Sequence, residues 1–574
     1  MGMQVITADD SIEIEKHFKV SAGPGAGKTR FLINHISNVL QSSNRLGRTR
    51  KIACITYTNV GVSTIISRLG EELDHVEVST IHSFLFKHIV RPYLFLLKDK
   101  YGLDLQKINN HYEHMVSSGF FNKTDLPKRN IKENELRSLY WEIDGNECKL
   151  KLDMRKMDYH SSLLKYKKYF WEKGLVHHED VLAFAWEIIK SSKEVLRVIR
   201  SKFPYFFIDE FQDTNPIQTE ILKLIGENET IVGVIGDSAQ SIYEFQGASV
   251  SQFTNFKLTG ILDFKMEDNH RSTEQIIHLL NKLRNDITQI SPKNKTGHKP
   301  LLIVGDILNS LEFAKKKIDS ENITTLSFSN LTANAVRNNI ALKTGEKWQI
   351  IEDLYEDSNS DRKKALISLI KAIQFAKMKL YKESIRELSR HFIGQDNFKG
   401  QRISIIVLKS LLAEYSESKS KSLWDFYLRI STFQVDGRPI LAMSKINESK
   451  AGKAPTKIEE FYKNTTLEKL SLHVKMNEDN SLHRTIHKAK GDEFENVMVI
   501  VKQSDQYKNY QEDRDFEFLL NPKLGENEGH RVYYVACSRA RTNLIINVPE
   551  ISESSKQALS GYFDIYSIVT SVAL

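Results

Sequence analysis

Residues 22–29 read Ala-Gly-Pro-Gly-Ala-Gly-Lys-Thr, directly after a short apolar run and directly before a helical pattern. Few architectures accept such a segment, because it asks for a strand, a tight loop and a helix in immediate succession. Small residues let several backbone N–H groups turn inward, where they can cradle phosphate oxygens. Lys28 then reaches the β- and γ-phosphates, the Thr29 hydroxyl can ligate Mg²⁺, and the helix opening near Thr29 adds its positive end to the same anion site. The loop predicts nucleotide contacts by Ala22, Gly23, Gly25, Ala26, Gly27, Lys28 and Thr29, with Arg30 following. A plain Gly-rich turn before a helix is the alternative, since Ala22 stands where the motif usually has Gly.

At 574 residues the chain is too long for one hydrophobic core, so three or four domains or subdomains are expected. Hydrophobic residues at 40% and charged residues at 27% place it among ordinary globular proteins. No stretch approaches the roughly 18 apolar residues of a membrane span. Asp9, Asp10, Glu13 and Glu15 occupy the region where a signal peptide would be basic and then apolar, which predicts a cytoplasmic protein. Cys54, Cys148 and Cys537 lie far apart and in no metal-ligand spacing, so they read as buried small hydrophobes. The net charge of +8 permits a polyanionic partner without requiring one.

Strand-like and helical runs alternate from the start. Residues 51–56 read as a strand and Val62–Leu69 as a helix, which predicts a parallel sheet flanked by helices. From about Leu85 to Ser201 apolar residues recur at helical spacing, as in Tyr159–Phe170 and Val181–Ile189, the pattern of a mainly helical insertion. Strand character returns at Tyr205–Ile208 and Ile231–Ile235. A second alternating region begins near Asn269, with strands at Leu301–Val304 and Thr324–Phe328. Residues from about Gly345 to Asn477 are again helical, with polar punctuation at Ser416–Ser422 and a linker-like stretch at Ser444–Lys457. Strands resume at Val497–Val501 and Thr542–Val548, and Gln503–Gly529 between them reads as one long surface loop.

The partner of the phosphate loop is Phe207-Ile208-Asp209-Glu210-Phe211-Gln212-Asp213, delivered by an apolar strand. A carboxylate at a strand's carboxyl end can hold Mg²⁺ through water, and the next can orient and deprotonate an attacking water. Asp209 is therefore assigned to metal and Glu210 to the catalytic base.

Further blocks follow in order: Thr56-Tyr57-Thr58-Asn59, Thr80-Ile81-His82-Ser83-Phe84, Gly236-Asp237-Ser238-Ala239-Gln240-Ser241-Ile242-Tyr243-Glu244-Phe245-Gln246-Gly247-Ala248 and Asn269-His270-Arg271-Ser272. Near the end come Thr485-Ile486-His487-Lys488-Ala489-Lys490-Gly491-Asp492-Glu493-Phe494 and Tyr534-Val535-Ala536-Cys537-Ser538-Arg539-Ala540. Together with the phosphate loop and the acidic pair, these blocks resemble the UvrD/Rep group of superfamily 1 helicases, from residue 22 to about 548.

The resemblance implies an α/β protein with two RecA-like parallel-sheet domains, each carrying a mainly helical insertion. The first domain would comprise 1–84 and 202–268 with insertion 85–201; the second would comprise 269–344 and 478–574 with a reduced insertion, 345–477. It implies an ATP- and Mg²⁺-dependent motor on single-stranded or 3′-tailed DNA, moving 3′ to 5′. Gln240 would sense the γ-phosphate, Gln212 would couple the metal site to it, and Arg271 and Arg539 would place guanidinium groups on that phosphate. Glu493 would meet the ribose. Thr58, Asn59, Thr80 and His82 would touch the DNA backbone, Phe245 would stack on a base, and Tyr243 and His487 would add contacts.

Departures from the family pattern are specific. The segment Leu-Asn-x-x-Gln, whose glutamine reads adenine in relatives, has no clear counterpart ahead of the loop. Gln246 replaces a usual Arg, Val60-Gly61 replaces a common Lys-Ala, and Asp492 stands where an apolar residue is frequent. No nuclease-like cluster is expected after the last motif. These features, with His177-His178-Glu179-Asp180 ahead of Asp209, leave a second reading open: a DNA-end-sensing ATPase that regulates a separate nuclease. The helicase-like subunit of Gabija antiphage systems, which works beside an OLD-family nuclease, is of that kind.

Overall fold

The computed structural model describes residues 3–112, 131, 133–152, 159–342, 350–355, 357, 359–390, 397–435, 438–439, 454–474, 476, 481–501 and 510–568. The chain divides into two compact units, Met1–Gly297 with Pro522–Ser538, and His298–Asn521 with Arg539–Leu574.

The first unit is built on a seven-stranded sheet in the order Gln4–Val5, Leu262–Met266, Phe18–Ala22, Ile231–Gly236, Tyr205–Ile208, Ile52–Thr56, Val76–Thr80. Every pairing is parallel. Parallel strands need helical crossovers, so both faces of the sheet's centre are covered, and Ile52–Thr56, Tyr205–Ile208 and Ile231–Gly236 are buried along nearly their whole length. Side chains still alternate between two cores. Ile52, Cys54, Tyr205 and Phe207 pack with Phe31 and Ile36 on one face. Ala53, Ile55, Phe206 and Ile208 pack on the other with the insertion's Phe184, Ile188 and Trp171. The insertion is thus fastened to the sheet by a shared core.

Helices His160–Trp171, His178–Ser191 and Lys193–Lys202 dominate the insertion, as the 3.6-residue spacing predicts. It also contains an antiparallel hairpin, Leu139–Asp144 with Glu147–Leu152, turned at Gly145 with φ 64°. Asp180 is fully buried and accepts from Trp141 Nε1 at 2.9 Å, Trp171 Nε1 at 3.0 Å and the His177 amide at 3.0 Å, while Lys167 Nζ lies 2.8 Å away. That carboxylate ties hairpin to helices.

The second unit has a six-stranded parallel sheet in the order His483–Thr485, Thr324–Ser327, Phe494–Ile500, Ala540–Val548, Leu301–Val304, Asp564–Ser567. Its helical region, including Ser360–Lys377, Asn397–Ser418 and Leu467–His473, has its own core around Leu369, Ile373, Leu411, Phe426 and Tyr462. Asp357 is buried there against Arg362 (2.6 and 2.5 Å) and the Tyr462 hydroxyl (3.1 Å).

Two segments differ from the sequence expectation, and a third lies mostly outside the described residues. The stretch expected as one long loop, 503–529, contains the short helices Glu512–Asp515 and Glu517–Leu520 in its described part, because Phe516, Phe518 and Leu519 bury themselves. Most of the linker-like stretch 444–457 lies outside the described residues; its end opens the helix Lys457–Asn464. The segment 269–297, assigned from sequence to the second domain, packs with the first unit. Among the described residues no helix is long and apolar enough to cross a membrane.

Gly233 sits in a central strand where an added Cβ would meet the Phe18 ring at 2.1 Å. Phe18 is fully buried and cannot swing aside without disturbing Phe31 and Phe207. Gly233→Ala is expected to destabilise the first unit by about 1–3 kcal/mol, read as a lower thermal midpoint; an unchanged midpoint would show that the ring can relocate.

Candidate nucleotide and DNA site

The phosphate loop joins the strand Phe18–Ala22 to the helix Lys28–Ser42. Gly25 (φ 75°) and Gly27 (φ 89°) adopt left-handed backbone, which an L side chain would strain. Gly25 is doubly required, since a Cβ there would lie 2.6 Å from Asn269 Oδ1 and 2.9 Å from Arg271 Cβ. The loop is held in place by its neighbours: the His270 amide donates to Gly25 O (3.0 Å), and Gln289 Nε2 donates to Pro24 O (2.9 Å). Lys28 Nζ rests 3.5 Å from Ala22 O, folded back over the loop. Arg30 is exposed and pairs with Asp9 at 2.7 Å.

Asp209 and Glu210 follow the fully buried strand Tyr205–Ile208, two strands away in the same sheet. The Asp209 amide donates to Ile55 O (2.8 Å), so sheet pairing continues into the carboxylate. Glu210 takes left-handed backbone with φ 56°, unusual for a non-glycine residue, and its amide donates to Asp209 Oδ1 at 2.9 Å. Burial, then the neighbouring Glu210 charge, pushes the Asp209 carboxyl up to about 7, against the pull of Lys28 and a hydrogen bond from the Thr29 side chain.

A chain of side-chain amides runs onward from this pair. Gln212 Nε2 donates to Glu210 Oε2 (2.5 Å), while its Oε1 accepts from the Asp237 amide (2.9 Å). A Cβ at Gly236 would press on Gln212 Oε1 at 2.7 Å, so glycine clears the path. Gln240 Nε2 donates to Asp237 Oδ2 at 2.6 Å. Asp237 is also gripped by Arg284, whose Nη1 and Nη2 lie 3.3 and 3.1 Å from its two oxygens, with both side chains fully buried. Arg284 further contacts Asp286 (2.8 Å) and the Tyr534 hydroxyl (3.0 Å). Arg271 Nη1 donates to Ser538 O at 2.9 Å, and its amide donates to Asn269 Oδ1 at 3.0 Å.

The exposed aromatic candidate is Phe245, 67% accessible, beside Tyr243 with ring centroids 5.9 Å apart. Tyr243 in turn stacks on Tyr57 at 5.1 Å. Arg531, buried, anchors this segment by donating to Ser241 O (2.7 Å) and pairing with Glu244. Thr58 and Asn59 are exposed at the start of the helix Asn59–Leu69, where Thr58 Oγ1 caps the Gly61 amide (3.0 Å). Thr80 caps Ser83 in the same way. The His82 ring instead stacks on His178 at 4.8 Å, its Nε2 is buried without a hydrogen bond, and burial pushes it down to about 3.

In the second unit, Arg539 is buried with Nη1 donating to Asp492 O (3.2 Å). Glu493 is exposed and lies 3.8 Å from Arg541. His487 meets the edge of the exposed Phe328 at 6.2 Å.

Sequence reasoning missed Arg284, Gln289, Asn269 and Arg531. None stood out as a candidate, because each acts by holding another residue and only its tertiary partner reveals it. Among the described residues no group of three or more His, Cys, Asp or Glu is arranged to hold a metal alone. A nucleotide-bound Mg²⁺ nevertheless suits the donor set. One buried carboxylate crowded by a second, with a threonine hydroxyl beside it, leaves negative charge for a divalent cation to neutralise, and the phosphates would supply the other oxygens.

Residues 7–259 match the UvrD/REP helicase N-terminal domain and residues 338–550 the UvrD-like helicase C-terminal domain. The Gabija protein GajB of Bacillus cereus (strain HuB5-5) is 23% identical over 675 aligned positions, covering 97% of this chain and 96% of that protein. A probable DNA helicase II homolog of Mycoplasma capricolum is 24% identical over 69% of this chain and 56% of its own length. The ATP-dependent DNA helicase PcrA of Staphylococcus aureus is 27% identical over 49% of this chain and 40% of its own. The chain belongs to the UvrD/Rep helicase family and is an ATP-hydrolysing DNA helicase of that type.

The raised Asp209 carboxyl has a testable sign. In the folded protein it keeps its proton up to about pH 7, whereas the unfolded chain releases it near 3.8. Stability from this group is therefore fully present below the lower value and is lost as pH rises through the upper one. A cation beside it offsets that loss. The rise in thermal midpoint on adding Mg²⁺ and a nucleotide is expected to grow between about pH 6 and 8, and Asp209→Asn should flatten that growth. An equal rise at both pH values in the unmodified protein would contradict it.

Proposed function

We propose that this helicase is a 3′-to-5′ motor on single-stranded DNA, with ATP hydrolysed between its two RecA-like domains. The observation that carries this reading is one stretch of chain, Gly236–Phe245. At one end Gln240 and Asp237 connect through Gln212 to Glu210; at the other Phe245 stands exposed. A change at the phosphate end can therefore move the aromatic end through a single anchored segment.

In this mechanism the loop amides and Lys28 bind the β- and γ-phosphates. Thr29 and Asp209 would hold Mg²⁺, which would supply charge neutralisation at the transferring phosphate. Glu210 orients and deprotonates the attacking water, and Gln240 reports whether the γ-phosphate is present. Arg271 and Arg539 stabilise charge developing on it, and Glu493 contacts the ribose. Thr58, Asn59 and Thr80 contact the strand's backbone, His487 adds a further contact, and Phe245, flanked by Tyr243, stacks on a base, while His82, stacked on His178, would have to leave that stack to join them. The protein would act in the cytoplasm.

The alignment with Gabija protein GajB, which spans nearly the full length of both chains, supports a second reading. There the same ATPase senses DNA ends and controls a separate nuclease in antiphage defence. Strand displacement by the purified chain on a 3′-tailed duplex separates the two. Robust unwinding, absent on a 5′-tailed duplex, supports the motor. ATPase without unwinding, with co-purification of a nuclease, supports the regulator.

Lys28→Ala and Glu210→Gln are each expected to lower DNA-stimulated ATP hydrolysis by at least about a hundredfold with an unchanged circular-dichroism spectrum. Wild-type-like turnover in either would sink the mechanism. Phe245→Ala should weaken binding to single strands by about 1–3 kcal/mol, measured by fluorescence anisotropy, while ATP hydrolysis in the absence of DNA stays the same.

A further inference from the structure

The amino-terminal edge of the first sheet carries a basic surface that the motor residues do not use. Lys51 and Lys202 precede the parallel strands Ile52–Thr56 and Tyr205–Ile208, and the Lys51 amide donates to Lys202 O at 2.9 Å. Thr58 and Asp209 leave the opposite ends of those strands. A five-residue strand spans roughly 16 Å, so the two edges are separate surfaces.

At this edge the turn Gly47–Arg50, closed by reciprocal backbone bonds of 3.3 and 3.2 Å, faces the helix Lys193–Lys202. Between them lies an open groove of about 600 Å³. Thr49, Arg50, Arg197, Ser201 and Lys202 line it, with Glu194 its one acid and Val198 its one apolar side chain. Arg48, Arg50 and Arg197 are exposed, and with Lys51 they make no ion pair among the described residues. Of the nearby acids, Glu15 pairs with Arg45 at 2.9 Å and Glu227 with Arg200 at 3.8 Å, while Glu194, which accepts from Ser192 Oγ at 3.0 Å, keeps its charge beside the groove.

Arg48, Arg50, Lys51 and Arg197 outnumber the one acid of the groove, so this surface keeps a net positive charge. It suits an external polyanion. The remaining lining chooses between kinds of polyanion. A protein interface needs a central aromatic or aliphatic anchor with its pocket, and one half-exposed valine does not provide that. Guanidinium, ammonium and hydroxyl groups together are the donors that bind phosphate oxygens without reading sequence.

We infer that this groove binds the phosphates of nucleic acid, as a second contact on the far side of the first unit from the ATP-driven track. The inference rests on the chain being a DNA helicase, and it extends the path of DNA beyond the motor residues.

The test compares the unmodified full chain with Arg50→Ala/Arg197→Ala and Arg50→Lys/Arg197→Lys. Anisotropy would be measured over a salt series on an oligo-dT of about eight nucleotides, which fills a single site, and on a 3′-tailed duplex with a long tail. The alanine pair is expected to weaken binding to the long DNA at least about fivefold at low salt. It should also reduce the slope of log K against log salt by about 1.5, two phosphate contacts, and the lysine pair should retain both. Affinity for the short oligonucleotide and the ATPase it stimulates should stay unchanged. An unaltered affinity and slope on the long DNA overturns the inference, as does an equal loss on both DNAs. If the short oligonucleotide fails to stimulate ATPase in the unmodified protein, the motor reading fails instead, and the long-DNA slope still decides the groove.

Discussion

The first unit depends on one electrostatic conflict: two carboxylates, Asp209 and Glu210, delivered side by side by a strand with no exposed residue. Burial removes the water that would screen them, and their mutual repulsion raises the first carboxyl further. Lys28 and Thr29, brought from two strands away, answer part of that charge and leave the rest for a cation. Local strain accompanies it, since Glu210 accepts a backbone conformation that glycine normally takes. Nothing in the core requires this arrangement, which is why it points to chemistry rather than to stability.

A second buried charge pair, Asp237 with Arg284, serves a different end. Removing two charges from water costs more than a well-packed apolar pair would, so such a pair is weak evidence for stability. Here it fixes the orientation of the carboxylate on which Gln240 rests, and Asp286 and Tyr534 satisfy the remaining donors. The network also explains why the segment 269–297 packs on the first unit. Arg284 grips Asp237, Gln289 grips the phosphate loop, and Asn269 sits under Gly25.

The basic groove at the sheet's other edge shows how a parallel sheet separates tasks. All its strands point one way, so loops at their carboxyl ends gather the phosphate loop, the acidic pair and the exposed threonines. Loops at the amino ends are free to hold something else. The charges there come from two stretches about 145 residues apart in sequence, and each alone is an unremarkable run of surface cations.

The central strands of both sheets were legible because buried parallel strands are continuous apolar runs with few competitors, whereas Gln4–Val5, Val76–Thr80, Leu262–Met266, His483–Thr485 and Asp564–Ser567, short or half polar, were not. The phosphate loop, Asp209, Glu210, Gln212 and Gln240 were legible because phosphate chemistry demands those residue types in short local patterns. The hairpin at Leu139–Leu152 escaped, its strands being half polar and short, as did the two brief helices after Gln511. Tertiary structure alone decided that His82 packs into a histidine stack, that Arg284 and Arg531 brace the sensor segment, and that Arg50 meets Arg197 across a groove. The physical reason is common to all of them. A motif records what neighbouring residues do to one ligand atom, whereas these roles depend on which distant side chain supplies, or fails to supply, the opposite charge.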